Sequence, residues 1–431
     1  MTAIPGYTLH ELIYQSEKKR IYRGIRKADG SPVIVKTLTA AKITTGDTAK
    51  LMHEFEIAKS LQIAGIVKPL YQEQTGGSVA LIMEDTGGIS LKTYLRQERS
   101  ALSAFFFITV QLSETLMELH RHGVIHKDLK PDNIIINPQT RQVKIIDFSH
   151  STRFLGESLK SSATSPFEGS LPYMSPEQTG RMNRVIDYRS DLYSLGVIFY
   201  EMLTGQLPLN AETQMEWVYA HLAKRPIPPH QRMPELPRIL SEITMKLLSK
   251  TSEERYQSAY GLLADLLTCK RAWEENGEVP SFPLGQMDEL SIFHIPSKLY
   301  GRENELNHLR GAYSRIKAGA TEFALISGYA GIGKTELVYE IYRPVVLERG
   351  YLISGKFDRL QQEIPFAPLI QAFQDLVRQL LTENAEKIAD WKKRLLRALG
   401  RAGAVVTEVI PEVKLIIGEQ PPVEELPPAE A

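Results

Sequence analysis

Cysteine is almost missing: one, Cys269, stands among 431 residues. A single thiol closes no intrachain disulfide and supplies no thiolate cluster for zinc, which suits a reducing compartment and leaves any metal to oxygen ligands. An excess of either charge is missing too, since 51 basic residues balance 51 acidic ones. That balance excludes a chain-wide positive field, so neither a nucleic acid nor an anionic membrane is expected as a partner. The longest apolar run, Ala104 to Val110 around Phe105-Phe106-Phe107, is too short to span a bilayer, and MTAIPGYTLH lacks the basic-then-apolar pattern of a signal peptide. A cytoplasmic protein without membrane insertion is the expectation. What is present is 43% hydrophobic residues in a chain long enough for two or three domains, each with a core of its own.

Along the chain the hydrophobic period changes. From residue 7 to about 95, short β-rich runs such as PVIVKTL and SVALIMED alternate with turns, and one helical stretch, Thr48 to Leu61, lies between them. From about 98 to 272 helical patterns prevail, among them AFFFITVQLSETLMELH, DLYSLGVIFYEMLTG and AYGLLADLLTCKRAW, interrupted by the hairpin-like IIINPQTRQVKIIDF. Residues 273–297 carry Pro and Gly without sustained periodicity and read as a linker, after which FALISGYAGIGKTELVYEIY reads as strand, turn and helix. The ending PPVEELPPAEA is proline-rich and acidic and forms no packed element by itself.

Between Val124 and Phe148, VIHKDLKPDNIIINPQTRQVKIIDF sets His126, Asp128, Lys130, Asn133 and Asp147 around one predicted hairpin. Transfer of a γ-phosphoryl group requires a carboxylate to orient the acceptor hydroxyl, hard oxygen ligands for Mg²⁺, and cations against the charge developing on the phosphate oxygens. The segment resembles the catalytic core of eukaryotic-like protein kinases. That resemblance implies an α+β bilobal kinase fold over 1–272, with an N-lobe of about 7–86 and a C-lobe of about 87–272. It implies ATP and Mg²⁺ as cofactors, Asp128 as the catalytic carboxylate, Lys130 against the transferred phosphate, and Asn133 with Asp147 as metal ligands. Lys36 in VIVK and Glu54 in LMHEFEIAKSL stand where such kinases pair a strand lysine with a helix glutamate. Ile13, Ile21, Ile34 and Ile135 would line the ATP site, and Met83, Glu84 and Thr86 resemble the segment joining the lobes, whose backbone bonds adenine.

Downstream, GSLPYMSPEQ matches the end of an activation segment. By the same resemblance Glu177 pairs with Arg255, Asp191 caps the catalytic loop that holds His126, and Ser170 contacts Asp128. Lys130 and GSLPYMSPE resemble serine/threonine rather than tyrosine kinases, implying a protein substrate with a Ser or Thr hydroxyl. Ser161, Ser162, Thr164 and Ser165 are candidate phosphorylation switches.

The pattern also departs from the family. LIYQSEKKRIYRG has Tyr14, Ser16 and Lys19 where glycines would let the backbone close over phosphates, so the nucleotide must be covered differently. Lys127 replaces the usual arginine and loses a planar bidentate grip. Ser149 follows Asp147-Phe148 in a glycine position, and Ile34 fills a position that is commonly small. An alternative reading is therefore a pseudokinase or nucleotide-binding scaffold that regulates neighbouring modules.

A second constellation, Gly328-Tyr329-Ala330-Gly331-Ile332-Gly333-Lys334-Thr335, fulfils GxxxxGK[ST] after the apolar FALIS and before a helical pattern. Its glycines would turn backbone N–H groups into one concavity, with Lys334 reaching the terminal phosphates and Thr335 the metal. With LYGRENELNHL before it, the segment 298–431 resembles the N-terminal part of a signal-transducing AAA-type P-loop NTPase, an incomplete α/β domain. No run of four apolar residues and an acidic pair follows, so hydrolysis by this segment alone is not expected. Kinase and NTPase in this order resemble the N-terminal part of bacterial, notably cyanobacterial, multi-sensor serine/threonine kinase and histidine kinase hybrids. Downstream sensor or signalling domains are the implied partners, and no histidine-kinase module lies in these residues.

Overall fold

A computed structural model describes residues 4–38, 44–75, 78–97, 101–153, 169–179, 186–288, 301–329, 332–339, 345, 350–351, 353–355, 357, 366–381 and 385–421. They gather into two compact units, one drawn from Met1–Gly180, Arg184–Pro208 and Pro226–Pro296, the other from Arg181–Asn183, Leu209–Arg225 and Ser297–Ala431.

The first unit opens with an antiparallel sheet of β1 (Tyr7–Gln15), β2 (Lys19–Arg26), β3 (Pro32–Leu38), β4 (Pro69–Thr75) and β5 (Ser78–Glu84), in the order β1-β2-β3-β5-β4. The two-residue period of PVIVKTL sends Val33 and Val35 to one face, buried with Ile4, Tyr7, Ala80 and Ile82, and turns Ile34 and Lys36 to the other. Pairing then decides what shares that second face: Ile21 lies opposite Lys36, Arg23 opposite Ile34, and Met83 opposite Ile34 from the other side. Helix α1 (Thr45–Lys59) packs Leu51 and Phe55 against Val79 and Leu81. It begins earlier than its apolar pattern because a capping box sets the start: Asp47 N–H donates to Thr44 Oγ1, and Thr44 N–H donates to the Asp47 carboxylate.

Helices α2 (Leu91–Gln97), α3 (Leu102–Arg121) and α4 (Arg189–Thr204) follow, then α5 (Gln214–Ala223) of the second unit, and α6 (Pro229–Arg232), α7 (Arg238–Leu247) and α8 (Ala259–Asn276) of the first. By length and composition α3 is apolar enough to cross a membrane. Here it is the core of the helical lobe, with Phe105, Phe106, Ile108, Leu112, Leu116 and Leu119 at most 1% exposed. Each such side chain contributes about 1.5–3 kcal/mol by leaving water. Where α4 crosses α7, a Cβ on Gly196 would sit 2.6 Å from the Leu247 Cβ, so this close approach needs glycine. A hairpin of Ile134–Asn137 and Gln142–Ile145 buries Ile134, Ile136, Val143 and Ile145 in the same core and leaves Ile135 and Lys144 on its other face.

The stretch read as a linker divides. Its first residues complete α8, and Val279, Phe282 and Leu284 pack on the helical core. Asp288 then accepts hydrogen bonds from Gln257 N–H and the Ser258 hydroxyl, at 2.7 and 2.9 Å. Residues 289–297 lie outside the described residues.

In the second unit, helices Glu303–Lys317, Lys334–Tyr339, Ala367–Leu380, Ala385–Leu399, Gly403–Val409 and Lys414–Ile417 are described. Val377, Leu380, Ile410, Val413, Ile416 and Ile417 form a buried core among the later ones. The strand expected at FALIS is a correction: residues 323–327 belong to no ladder, and Phe323 and Leu325 are 90% and 82% exposed. A strand exists only through hydrogen-bonded neighbours, and among the described residues of this unit none is a strand. Gly355 and Phe357 likewise belong to no ladder; Lys356 and Asp358 lie outside the described residues.

Candidate active site

The second face of the sheet carries a buried ion-pair chain. Lys36 Nζ, on β3, donates to Glu54 Oε2 of α1 at 2.6 Å and lies 3.1 Å from Asp147 Oδ1. Lys36 and Glu54 side chains are 7% and 4% exposed, so each needs the other. Burial works against the Lys36 charge, but Glu54 and Asp147 outweigh it and raise its pKa. Burial also pushes the Glu54 carboxyl up, and Lys36 opposes that shift without cancelling it. Asp147 meets the same burial, yet Lys36, Lys19 and the Ser149 hydroxyl hold its carboxyl well below the usual range. Lys19 Nζ donates to its Oδ2 at 3.0 Å, and Ser149 Oγ to its Oδ1 at 2.7 Å.

Asp147 itself takes the left-handed backbone conformation, φ 66°, and Phe148–His150 form a single 3-10 turn behind it. Ser149 therefore needs no positive φ, and the serine in the glycine position is accommodated as a ligand of Asp147.

Asp128 anchors the second cluster. Its Oδ1 accepts from Ser170 N–H at 2.9 Å, and its Oδ2 from Lys130 Nζ at 2.7 Å and Asn133 Nδ2 at 3.1 Å. Lys130 Nζ also donates to Ser170 Oγ at 2.6 Å, bridging the catalytic loop and the activation segment. Asn133 Nδ2 donates as well to the Asp128 carbonyl, so both of its recorded bonds use the amide nitrogen and not the amide oxygen.

The loop is held from α4. Asp191, fully buried, accepts from Lys127 N–H on Oδ1 at 2.8 Å and from His126 N–H on Oδ2 at 2.9 Å, and Oδ2 lies 3.1 Å from His120 Nε2. Burial opposes its charge, but His120 and the loop donors hold its pKa below the ordinary value. These anchors retain Lys127 at φ 66°, which costs a non-glycine residue of order 1–3 kcal/mol. His126 sits edge-on to Phe148, with Nε2 3.0 Å from the Ile146 carbonyl.

The expected adenine-side residues meet along the lobe junction. Ile21, Ile34 and Met83 share the cleft face of the sheet and Ile135 comes from the hairpin, whereas Ile13 on β1 is 45% exposed. The Glu84 carboxylate is taken by Lys144 Nζ and Lys68 N–H, and the Thr86 carbonyl accepts from Asn137 Nδ2. Glu177 and Arg255 face each other through two bonds of 2.7 and 2.8 Å, 3% and 0% exposed, with Ser190 Oγ on the same carboxylate. The candidate switch residues Ser161, Ser162, Thr164 and Ser165 lie outside the described residues.

Sequence reasoning missed several contributors. Arg23 on β2 donates to Asp85 at 2.7 Å and so ties the sheet to the lobe junction; its alternation with Ile21 is the signal that could have shown it. Gln178 donates to the Lys127 carbonyl at 2.7 Å, and His120 supports Asp191; Gln178 ends the GSLPYMSPEQ run and His120 a helical pattern, and neither polar side chain stands out there in sequence. In sequence Lys19 reads only as a missing glycine.

The residues fit a hard divalent cation. Among the described residues no cluster of three or more His, Cys, Asp or Glu could hold a metal. Asp147 and the Asn133 amide oxygen offer two oxygen ligands, as suits Mg²⁺, which is usually bound by one or two protein groups plus phosphates and water.

In the second unit Gly328 and Gly333 have φ 156° and 87°, and Lys334 opens its helix. Its Nζ donates to the carbonyls of Gly328 and Tyr329 at 2.9 and 2.8 Å, and Arg302 reaches the Ile332 carbonyl at 3.2 Å. Gly331 and the Thr335 side chain lie outside the described residues.

Comparison with known families agrees with this architecture. The protein kinase domain model matches residues 7–268, and the AAA ATPase domain model matches 298–431. The chain belongs to the protein kinase family and carries an AAA ATPase domain after the kinase domain, which together imply ATP binding. It is 32% identical over 417 residues to hybrid signal transduction histidine kinase G of Dictyostelium discoideum, covering 77% of this chain and 12% of that protein. It is 26% identical over 339 residues to histidine protein kinase 1 of Candida albicans, covering 72% and 14%. Serine/threonine-protein kinase PknB of Mycobacterium tuberculosis is 33% identical over 204 residues, 47% of this chain and 31% of PknB. The chain thus spans only a small part of the length of these relatives.

Proposed function

We propose that the kinase domain, extended through the docked residues up to Asp288, is a serine/threonine protein kinase that uses Mg-ATP. The observation that carries this is the pair of hydrogen bonds that Lys130 donates to Asp128 and Ser170: one ammonium holds the carboxylate and a segment hydroxyl in a single frame. The acceptor oxygen bonds to the γ-phosphorus as the bond to the bridging oxygen breaks; the hydroxyl proton passes towards Asp128 and on to solvent, and ADP leaves. Lys36 and Lys130 offset charge on the phosphate oxygens, and Asn133 and Asp147 would hold the metal, which would neutralise phosphate charge. The likeness to PknB, named a serine/threonine kinase, supports the choice of hydroxyl. Cytoplasmic operation, where ATP and Mg²⁺ are supplied, belongs to the same reading.

Lys334, at the helix start after a glycine-rich turn, supports a second ATP site in the AAA domain. Names of the relatives that share both parts support a place in a longer signalling protein, with the kinase and AAA parts acting on modules beyond them. Labelled phosphate transfer to mixed Ser/Thr substrates tests the catalytic reading. Asp128→Asn is expected to lower transfer by at least a hundredfold with an unchanged melting curve; equal labelling by parent and variant refutes Asp128 as the catalytic carboxylate.

A further inference from the structure

The β1–β2 turn, where kinases of this resemblance place glycines, is closed by its own side chain. Ser16 N–H donates to the Lys19 carbonyl at 2.9 Å, and Lys19 N–H donates to Ser16 Oγ at 3.1 Å. The pairing of Gln15 with Arg20 continues the ladder up to this turn. Two tip N–H groups that could have met a phosphate are therefore already satisfied within the turn. Alternation along β2 meanwhile puts Lys19 on the face of Ile21, which is the face of Lys36, and its ammonium reaches Asp147 at 3.0 Å.

The two oxygens of Asp147 are thus met by two different lysines. The lysines are not equally held. Lys36 is 7% exposed and bonded to Glu54 at 2.6 Å, whereas Lys19 is 33% exposed and has Asp147 as its one ion-pair partner among the described residues. Of the two, Lys19 is the lysine able to turn from Asp147 when phosphate enters, and it does so from a point beside Lys36, where phosphates must lie if Lys36 is to offset their charge.

We propose that Lys19 is a phosphate-binding residue that takes over, with a side-chain ammonium, the role of backbone donors in a glycine-rich loop, exchanging Asp147 for nucleotide phosphate. This rests on the kinase cleft being the ATP site proposed above. Lys19 carries no proton transfer; it binds and positions. Because its charge does not depend on a metal, its contribution persists when the divalent cation is removed.

The test is nucleotide binding by the full chain carrying Lys334→Ala, so that the glycine-rich loop of the AAA domain does not mask the cleft. ADP and adenosine are titrated calorimetrically in EDTA and in excess Mg²⁺ against the same chain with Lys19→Ala or Lys19→Met. Loss of one charge-assisted bond predicts ADP affinity lower by about ten- to a hundredfold in EDTA, with adenosine affinity unchanged and Lys19→Arg restoring most of the loss. Unchanged ADP affinity in EDTA overturns the proposal. So does higher affinity for ADP in Mg²⁺ without a loss in EDTA, since Lys19 would then only obstruct Asp147. If the parent binds neither adenosine nor ADP, the cleft is not the nucleotide site and the proposal falls with the reading beneath it. Binding of both by the parent, with both variants indifferent, refutes the role of Lys19 alone.

Discussion

Replacing Arg255 by methionine removes the guanidinium that meets Glu177 through bonds of 2.7 and 2.8 Å, while keeping an unbranched apolar stem. Glu177 is 3% exposed and keeps only the Ser190 hydroxyl as a named side-chain partner. Burial alone would raise its pKa; Arg255 outweighs burial and brings it to about 2 from an ordinary 4.5. That difference corresponds to about 3 kcal/mol of native-state preference for the ionised carboxylate. Breaking a buried pair on one side has a separate expected cost of about 3–5 kcal/mol, because the remaining charge is left uncompensated. Because the folded pKa is depressed, the contribution is fully present above pH 4.5 and is lost as the pH falls towards about 2.

Urea unfolding checks this, read from Trp273, which packs on Phe106 in the helical lobe, with Trp217 and Trp391 of the second unit replaced by phenylalanine. Arg255→Met should cost about 3–5 kcal/mol at pH 7, and adding Glu177→Met should restore part of it by removing the orphaned charge. Glu177→Gln should flatten the decline in stability between pH 5 and pH 2. A cost below about 1 kcal/mol for Arg255→Met, or a double variant no more stable than the single one, refutes the assignment of this energy to the pair.

The other predictions concern the cleft. Asp191→Ala leaves the N–H groups of His126 and Lys127 buried without their acceptor; at about 1–3 kcal/mol for each unsatisfied group, the melting temperature should fall and kcat should drop more than the KM for ATP changes. An Asp191→Ala variant with wild-type kcat would show that the loop holds itself. Lys36→Met leaves Glu54 without its ammonium, so Glu54 should bind a proton near neutral pH, nucleotide affinity should fall, and Lys36→Met/Glu54→Gln should be more stable than Lys36→Met. Thermal melts of both variants from pH 6 to 9 decide it: equal stability throughout means that the pair is not coupled.

What sequence could show, and what it could not, divides along the range of the interactions. Val33 and Val35 alternating with Ile34 and Lys36 made a strand and its cleft face readable, because a two-residue period needs no knowledge of partners. The helical runs of the C-lobe were readable for the same reason. The start of α1 was set by Thr44 and Asp47, a polar cap outside the apolar pattern that located the helix. FALIS is apolar enough for a strand, but a strand needs a neighbour, and apolar composition does not supply one. The pairings of Arg23 with Asp85 and Lys19 with Asp147 join residues 62 and 128 positions apart, and nothing local announces either. Only the register of β2 against β3 places both lysine and arginine over the cleft.

The start of α4 explains why damage far from Asp128 should reach it. Three successive residues there serve three different attachments. The Arg189 carbonyl accepts from Arg255 Nη1 at 2.9 Å, Ser190 Oγ donates to Glu177 at 2.7 Å, and Asp191 holds the loop that carries Asp128. The helix itself is buried almost throughout and packs on α7 through Gly196, so this turn cannot shift without opening the core. The activation segment returns to the same loop from the other side, since Gln178 donates to the Lys127 carbonyl and Ser170 N–H to Asp128. Both anchors of the loop that carries Asp128 therefore converge on a single helix start, which the Glu177–Arg255 pair holds in place. The buried charges at this helix start keep Asp128 oriented, while its own side-chain partners, Lys130 and Asn133, come from the loop itself.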